Sequence, residues 1–511
     1  MCESSHPPLI AGLLRPEAYP HTVDRLRVRE THISWVLLTG DFAYKIKKPV
    51  NLGFADFSTL DRRRFCCEEE VRLNRRFAAD LYLNIVPITR TAVGLHVGGQ
   101  GEPVEYAVQM RQFDERDLLS RLLAAGKLER RRIDELASAV ASVHKHADRA
   151  DERGEWGSAL QVGQPAADNI ETIRPLLEDP SRSRQLDKLA HWTQHAHQRL
   201  TAAFSSRLRE GFVRECHGDL HLGNVVLWKN RVTPFDCIEF NPALRWIDVM
   251  SEVAFVVMDL NDHARPDLAG RFLNAYLEHT GDYFGLTVLP FYLVYRALVR
   301  AKVAGLRLQQ PGLTARERRQ LVLECHGYLD LALRNTAPRP LSLTITHGLS
   351  GSGKTTGTTA LIEQQGAIRL RSDVERKRLF GVDTLHHAAV AVDAGIYSPA
   401  ATSQTYERLA ALTHDVIHAG FPVIVDATFL KRAQRSIFRQ LADELGVPFH
   451  ILAFEVDEQV LRERVRQRSA AGLDASDATP AVLNRQIESH EPFTAEERLC
   501  VIDGSGPDLV P

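Results

Sequence analysis

The 511-residue chain lacks the features of a disulfide-stabilised or membrane-spanning protein. It has seven cysteines, an odd number, and no pair has the spacing of a zinc-binding or redox Cys-x-x-Cys motif. Its longest apolar run, residues 253–258, is far shorter than the roughly 18–20 residues that cross a bilayer. We therefore expect hydrophobic cores without disulfides, a reducing cytoplasmic environment and no membrane partner.

Charge of either sign is not in excess. The chain has 63 Lys and Arg residues against 65 Asp and Glu residues, so the formal net charge is −2. A protein whose main partner is nucleic acid or an anionic membrane usually carries a basic surplus. The charge balance therefore argues against nucleic acid as the main partner, although it leaves room for a local basic patch.

The sequence divides into two blocks with different patterns. The first, residues 1–335, opens with strands predicted at 32–38, 42–46, 86–97 and 104–110 and a helix predicted at 61–77. It continues with two helical stretches on either side of a short β/loop segment at 213–240. This order predicts an α+β domain with a small β-rich lobe and a large helical lobe. After a proline-containing linker, short apolar runs alternate with helical patterns in residues 336–511, which predicts an α/β domain with a parallel sheet.

Residues 348–355 match the phosphate-binding pattern G-x-x-x-x-G-K-[ST]. An apolar strand, predicted at 341–346, precedes them and a helical pattern follows. Main-chain N–H groups of such a loop, together with the N-terminus of the next helix, attract a phosphate. Lys354 is expected to reach the β- and γ-phosphates, and the Thr355 hydroxyl to bind Mg²⁺. The predicted nucleotide-binding residues are Gly348, Ser350, Gly351, Ser352, Gly353, Lys354, Thr355 and Thr356.

Three further features of the second block predict phosphoryl transfer. Asp373 follows the second apolar strand and could accept a proton from a substrate hydroxyl, or could instead cap a helix. Asp426 ends a third apolar strand and could support Mg²⁺. Arg464 and Arg468 lie four residues apart on one helical face and could stabilise a transferring phosphoryl group, or could belong to a solvated charged helix.

With these motifs, the second block resembles the small P-loop kinase family that includes gluconate kinase, chloramphenicol phosphotransferase, polynucleotide kinase and the zeta toxins. The resemblance rests on residues 348–355, 371–373 and 425–428 and on the arginine-rich stretch near 464. It implies ATP-dependent phosphorylation of a hydroxyl group, with Asp373 as the candidate base, but it does not fix the substrate.

A second group of polar residues lies in the first block. Residues 217–224 read His-Gly-Asp-Leu-His-Leu-Gly-Asn, and Asp236 follows after two short apolar segments. An Asp and an Asn five residues apart, followed by a second Asp, match the catalytic and metal-binding loops of kinases. Asp219 would accept the proton of a substrate hydroxyl, while Asn224 and Asp236 would supply oxygen ligands to Mg²⁺.

The His-Gly-Asp sequence departs from protein kinases and resembles the aminoglycoside phosphotransferase family, a group of kinase-like small-molecule kinases related to choline and fructosamine kinases. The resemblance covers about residues 20–335. It implies a strand lysine and a helix glutamate that together orient the nucleotide phosphates. Lys45 and Glu70 match these positions best, with Lys47 and Glu69 as alternatives.

The two blocks together predict a bifunctional phosphotransferase that moves the γ-phosphoryl group of ATP to hydroxyls of small molecules, with ATP and Mg²⁺ as cofactors. One alternative is that one block is a nucleotide-binding module that regulates the other. A second alternative is a nucleic-acid 5′-end kinase in the C-terminal block. The sequence does not fix the acceptors, any coupling between the sites, the oligomeric state or whether aminoglycosides bind.

Overall fold

The computed structural model describes residues 6–53, 55–177, 179–382, 395–471 and 479–504, without the side chains of residues 468–471. The chain forms two compact units, one of residues 1–161 and 205–256 and one of residues 162–204 and 257–511. The boundary expected at residue 335 stays a prediction. Within the described ranges, no helix combines the length and the apolar character needed to cross a membrane.

The first unit opens with a six-stranded antiparallel sheet in the order β1-β2-β3-β6-β4-β5. Side chains alternate between the two faces of each strand. On β3, Tyr44 and Ile46 therefore enter a core with α1, whereas Ala43 and the two lysines at 45 and 47 face α2. The elements are α1 (Pro8–Leu13), β1 (Arg27–Glu30), β2 (Ser34–Leu38), β3 (Phe42–Lys47), α2 (Leu60–Ala78), β4 (Tyr82–Thr91), β5 (Gly94–Val97) and β6 (Pro103–Arg111).

The middle of the chain is mainly helical and contains two short strand pairs, β7 with β10 and β8 with β9. Strands β8 and β9 form a tight hairpin whose two turn residues, Lys229 and Asn230, both have positive φ. The elements are α3 (Leu119–Ala124), α4 (Arg130–His146), α5 (Ala159–Ile173), α6 (Pro180–Arg209), β7 (Val213–Glu215), β8 (Val225–Trp228), β9 (Arg231–Pro234), β10 (Trp246–Asp248), α7 (Val249–Asp262), α8 (Pro266–Thr280), α9 (Leu289–Arg307) and α10 (Ala315–Arg334).

The remainder of the second unit contains a five-stranded parallel sheet in the order β12-β13-β11-β14-β15. The carboxyl ends of parallel strands meet at one edge of a sheet, so the loops after β11, β12 and β13 lie together. The elements are β11 (Leu343–His347), α11 (Lys354–Gln365), β12 (Ile368–Arg371), α12 (Ser372–Leu379), α13 (Pro399–His418), β13 (Val423–Asp426), α14 (Arg432–Leu445), β14 (Phe449–Ala453), α15 (Glu458–Ala471), α16 (Pro480–Ser489), α17 (Ala495–Arg498) and β15 (Val501–Asp503).

The predicted fold class is confirmed: an α+β bilobal kinase-like architecture is followed by an α/β P-loop architecture with a parallel sheet. Two details differ from the sequence prediction. The sequence did not predict strand β1. This edge strand is polar and mostly exposed, so its residues do not show the alternation of apolar and polar side chains that marks a strand. The single strand expected at 86–97 is two strands, since the chain turns at residues 92–93 before Gly94, whose φ is +136°.

Candidate active sites

In the first unit, the structure brings together Lys45, Glu70 and Asp236 from three separate segments. The Lys45 ammonium donates a 2.8 Å hydrogen bond to Glu70 Oε1 and also contacts the Asp236 carboxylate. Burial alone would lower the pKa of Lys45, but the charges of Asp236 and Glu70 raise it well above its ordinary value. In turn, Lys45 holds the pKa of Asp236 below the ordinary range despite partial burial.

Asp219 and Asn224 are adjacent to each other at the start of the β8–β9 hairpin. The Asn224 side-chain amide donates to the Asp219 carboxylate at 3.1 Å and to its main-chain oxygen at 3.0 Å. The Phe235 N–H donates to the main-chain oxygen of Asn224 at 2.9 Å, so closure of the hairpin brings Asp236 back beside this loop. Asp236 has φ +67°, a left-handed conformation that an L-residue rarely adopts and that often occurs at functional sites.

The sequence analysis did not identify Glu252, which bonds to the main chain of the loop that carries Asp219. One oxygen of this fully buried carboxylate accepts a 2.8 Å hydrogen bond from the N–H of Gly218, and the other contacts His144 Nε2 at 2.9 Å. Burial raises the pKa of Glu252, but the hydrogen bonds and charges of its neighbours, above all His144, together outweigh burial and lower this pKa to about 2. The sequence did contain a sign of this residue: Glu252 is the one acid in the mostly apolar segment 249–258. An acid that is buried with such a segment needs a hydrogen-bond or charge partner.

The buried lysine Lys47 adds to the predicted lysine–glutamate pair. It contacts the carboxylates of both Glu70 and Glu239, and none of its side chain is exposed. Glu69, the alternative helix glutamate, instead forms ion pairs with Arg72 at 2.7 Å and with Arg245 at 3.0 Å. Glu70 therefore contacts both strand lysines, and the choice of Lys45 over Lys47 as the phosphate-orienting lysine stays a prediction.

In the second unit, the loop after β11 has the backbone conformation of a phosphate-binding loop. Gly348, Gly351 and Gly353 have φ values of +151°, +86° and +93°, which side chains of L-residues rarely allow. A Cβ atom at Gly348 would lie 2.8 Å from the main-chain oxygen of Phe454. A Cβ at Gly353 would meet no atom within 4 Å, so at that position φ is the constraint.

The polar groups of this loop are compatible with a bound anion. The Lys354 ammonium donates hydrogen bonds to the main-chain oxygens of Gly348 at 2.9 Å and Leu349 at 2.8 Å, which keeps it over the loop. The Ser352 hydroxyl is buried and has no hydrogen-bond partner among the described residues. Since buried hydroxyls are normally hydrogen-bonded, this one fits a phosphate-binding position.

The oxygen groups of Thr355 and Asp426 form the candidate Mg²⁺ site. The Thr355 hydroxyl donates to Asp426 Oδ2 at 2.9 Å, although the two residues are 71 positions apart in the chain. Hydroxyl and carboxylate oxygens are the ligand types that Mg²⁺ prefers. Thr356 lies exposed in the same first turn of α11, and the main-chain N–H of Ser350 donates to the Gln486 side chain at 2.9 Å.

Arg464 reaches the phosphate loop from α15. Its guanidinium donates to the main-chain oxygen of Gly351 at 3.3 Å, as expected of a helix that faces bound phosphates. The predicted partner Arg468 is on the same helix, but its side chain lies outside the described residues.

The candidate base Asp373 is in the first turn of α12, whose N-cap residue is Arg371. The Arg371 guanidinium donates to Asp373 Oδ2 at 2.8 Å, and the Val374 N–H donates to Oδ1 at 2.9 Å. Burial raises the pKa of Asp373, but the charge of Arg371 and the hydrogen bonds from Arg371 and Val374 together outweigh burial and hold this pKa below its ordinary value. Asp373 is therefore ionised at neutral pH, as a general base requires.

Comparison with known proteins supports the C-terminal assignment. Residues 343–493 match the family model AAA_33, described as an AAA domain. The C-terminal region is a P-loop domain. Two uncharacterised proteins, from Mycobacterium tuberculosis and Mycobacterium bovis, are each 29% identical to the chain over 471 residues, which is 91% of this chain and 91% of each relative.

Several solved kinase structures are similar to parts of the chain. Amicoumacin kinase hAmiN, solved with AMP-PNP, Ca²⁺ and Ami, covers 61% of the chain and 90% of its own length at 14% identity and a TM-score of 0.39. A choline/ethanolamine kinase family protein from Mesorhizobium loti covers 64% and 97% at 10% identity and a TM-score of 0.38. A gluconokinase from Sinorhizobium meliloti covers 34% and 86% at 24% identity and a TM-score of 0.22.

Proposed function

We propose that this chain is an ATP- and Mg²⁺-dependent phosphotransferase with one phosphoryl-transfer site in each unit, both acting on hydroxyl groups of small molecules. The observation that carries the proposal is the same in both units. Each one separately groups two oxygen ligands suited to Mg²⁺, a lysine near the expected phosphates and a carboxylate that can accept a proton. These are the parts that phosphoryl transfer requires, because its catalysis depends on positioning and charge stabilisation.

In the first unit, Lys45 and Glu70 orient the nucleotide phosphates, while Asn224 and Asp236 would hold the metal ion. Asp219 accepts the proton of the acceptor hydroxyl as that oxygen bonds to the γ-phosphorus, while the bond from this phosphorus to the bridging oxygen breaks and ADP leaves. The hydrogen bond from the Asn224 amide to the Asp219 carboxylate fixes the base beside the metal ligand. The ion pair between Lys45 and Asp236 keeps the phosphate-binding lysine and the second metal ligand in one place.

In the second unit, the N–H groups of the loop 348–353 bind the phosphates, and Lys354 reaches the group that is transferred. Thr355 and Asp426 would hold Mg²⁺, and a bound ion would supply positive charge against the phosphates. Asp373 accepts the hydroxyl proton, and its lowered pKa keeps it ionised for this role. Arg464, whose guanidinium already lies at the loop, stabilises the charge of the transferring group.

Two point mutations in the full chain can separate the activities that we propose for the two units. We expect Asp219→Ala to remove one part of the Mg²⁺-dependent ATP turnover, Lys354→Ala to remove the other, and the double variant to remove both. Turnover is measured with a panel of sugars, amino sugars, nucleosides and aminoglycosides as acceptors. If either single mutation abolishes all turnover, the two sites are not independent, and regulation of one unit by the other replaces the proposal.

The same assay tests the remaining alternative, a nucleic-acid 5′-end kinase. A 5′-hydroxyl oligonucleotide is added as acceptor to the Asp219→Ala variant, in which the P-loop site alone is expected to act. We expect no transfer to the oligonucleotide, because the chain has no basic surplus. Lys354-dependent labelling of the oligonucleotide would contradict the small-molecule assignment of this site.

A further inference from the structure

Helix α8 precedes the matched P-loop region in the chain but presents a polar face to it within the second unit. Arg271, Asn274 and Glu278 are three and four residues apart and therefore share one side of the helix. Arg271 forms an ion pair with Glu363 of α11 at 3.2 Å. All three side chains make hydrogen bonds to the region that begins at residue 354.

Asn274 makes hydrogen bonds to main-chain groups at β12, which is an edge strand of the parallel sheet. Its side-chain oxygen accepts a 2.7 Å hydrogen bond from the N–H of Arg369, and its amide donates to the main-chain oxygen of Ala367 at 2.9 Å. The carboxamide thus pairs with the strand as a neighbouring peptide group would, and it fixes the strand against α8.

Glu278, one turn further along α8, contacts two arginines of β12. Its Oε1 atom accepts hydrogen bonds from Arg369 at 2.7 and 3.1 Å, and its Oε2 atom lies 3.6 Å from the Arg371 guanidinium. The Glu278 side chain is 17% exposed and the two arginine side chains are 10% and 13% exposed, so solvent screens their charges only weakly.

The two arginines connect Glu278 to two parts of the candidate active site. Arg369 donates to the main-chain oxygen of Thr355 at 3.0 Å, in the turn that holds the candidate metal ligand. Arg371 donates to the candidate base Asp373 at 2.8 Å. One carboxylate therefore braces both the metal-binding turn and the base, although it touches neither.

We propose that Glu278 is a positioning residue for the P-loop site, which places part of that site's support outside the region matched by the family model. The inference rests on the proposed phosphoryl transfer at this site. Glu278 keeps the guanidinium of Arg371 in the orientation that holds Asp373, and it keeps Arg369 against the first turn of α11. Misplacing a base by about 1 Å can cost on the order of a hundredfold in rate.

The test uses the full chain carrying Asp219→Ala, so that turnover reports the P-loop site. We expect Glu278→Ala to lower kcat by about tenfold or more while KM for Mg·ATP rises by less than about threefold, since the loop 348–353 is not contacted by Glu278. Glu278→Gln retains an oxygen acceptor for Arg369 and should recover part of the loss. Arg271→Gln removes another ion pair of the same helix face and should stay within about twofold of the parent.

Hydrogen–deuterium exchange provides a readout that does not depend on turnover. We expect Glu278→Ala to increase amide exchange in segments 354–359 and 371–379, and Arg271→Gln to leave the second segment unchanged. Equal effects of Glu278→Ala and Arg271→Gln on kcat and on exchange would overturn the inference. If the parent chain shows no Lys354-dependent turnover, the proposed function is refuted. The exchange comparison by itself then decides whether Glu278 positions the two segments.

Discussion

The buried lysine Lys47 allows a demanding test of the charge network in the first unit. Lys47→Met keeps the length of the side chain but removes the charge that Glu70 and Glu239 share. None of the Lys47 or Glu70 side chain is exposed, and only 3% of the Glu239 side chain is. Removing one partner of such a buried ion pair costs about 3–5 kcal/mol, because the remaining charge has no solvent to compensate it.

The free energy of unfolding that Lys47→Met loses should depend on pH, and the direction of this dependence tests the reasoning. Burial already raises the pKa of Glu239 above its ordinary value, and Lys47 opposes that increase. Without Lys47, Glu239 in the folded variant should bind a proton at a pH where the unfolded chain has released it. Because the folded state then binds more protons than the unfolded state, the stability of the variant rises as the pH falls. We expect a large loss near pH 7.5 and a smaller one near pH 5.

The measurement is urea-induced unfolding of the full chain, followed by tryptophan fluorescence at both pH values. Lys48→Met is the matched control, since the adjacent Lys48 pairs with the exposed Glu30 at 2.6 Å and such a pair contributes at most about 1 kcal/mol. The double variant Lys47→Met/Glu239→Gln should recover part of the loss. A Lys47→Met cost no larger than that of Lys48→Met, or one that grows toward pH 5, would refute the reasoning.

Three further outcomes are expected. Gly353→Ala should weaken Lys354-dependent nucleotide binding, measured by calorimetry, because a Cβ at φ +93° strains the loop although it meets no atom within 4 Å. Arg371→Met should move the acidic limb of the P-loop site's pH–rate profile to higher pH, since the guanidinium lowers the pKa of Asp373; an unchanged limb would argue against Asp373 as the base. Glu252→Gln should lower the Lys354-independent turnover by roughly tenfold or more through the loop at Gly218, and unaltered kinetics would contradict that support.

Much of both candidate sites could be predicted from sequence because their residues lie in short motifs with fixed local geometry. The loop 348–355 follows an apolar strand and begins a helix, so its neighbours along the chain determine its shape. Asn224 and Asp236 are separated by a two-strand hairpin, and the pairing of its strands is enough to bring them close together. In these cases local backbone geometry, which a sequence pattern encodes, places the side chains.

The contacts that the sequence analysis missed join segments that are distant in the chain. Alternation along β3 puts Lys47 on the same face as Lys45, but it cannot show that Glu239, 192 residues later, makes full burial of that lysine tolerable. Glu252 bonds to Gly218, 34 residues away in the chain, and its only sign in the sequence is that it is the one acid among residues 249–258. A buried charge becomes predictable only when its partner is known, and the partner here is set by tertiary packing.

The position of α8 shows how a motif-based boundary can differ from a physical one. The family model begins at residue 343, yet the edge strand β12 obtains main-chain hydrogen bonds from Asn274, and its two arginines share the Glu278 carboxylate. A fragment that starts after α10 would leave the polar edge of β12 and two low-exposure guanidinium groups without these partners. Since an unpartnered strand edge and the loss of a charge partner both raise the free energy of the folded state, we expect the P-loop fold of this chain to be less stable without a helix that its sequence motifs do not include.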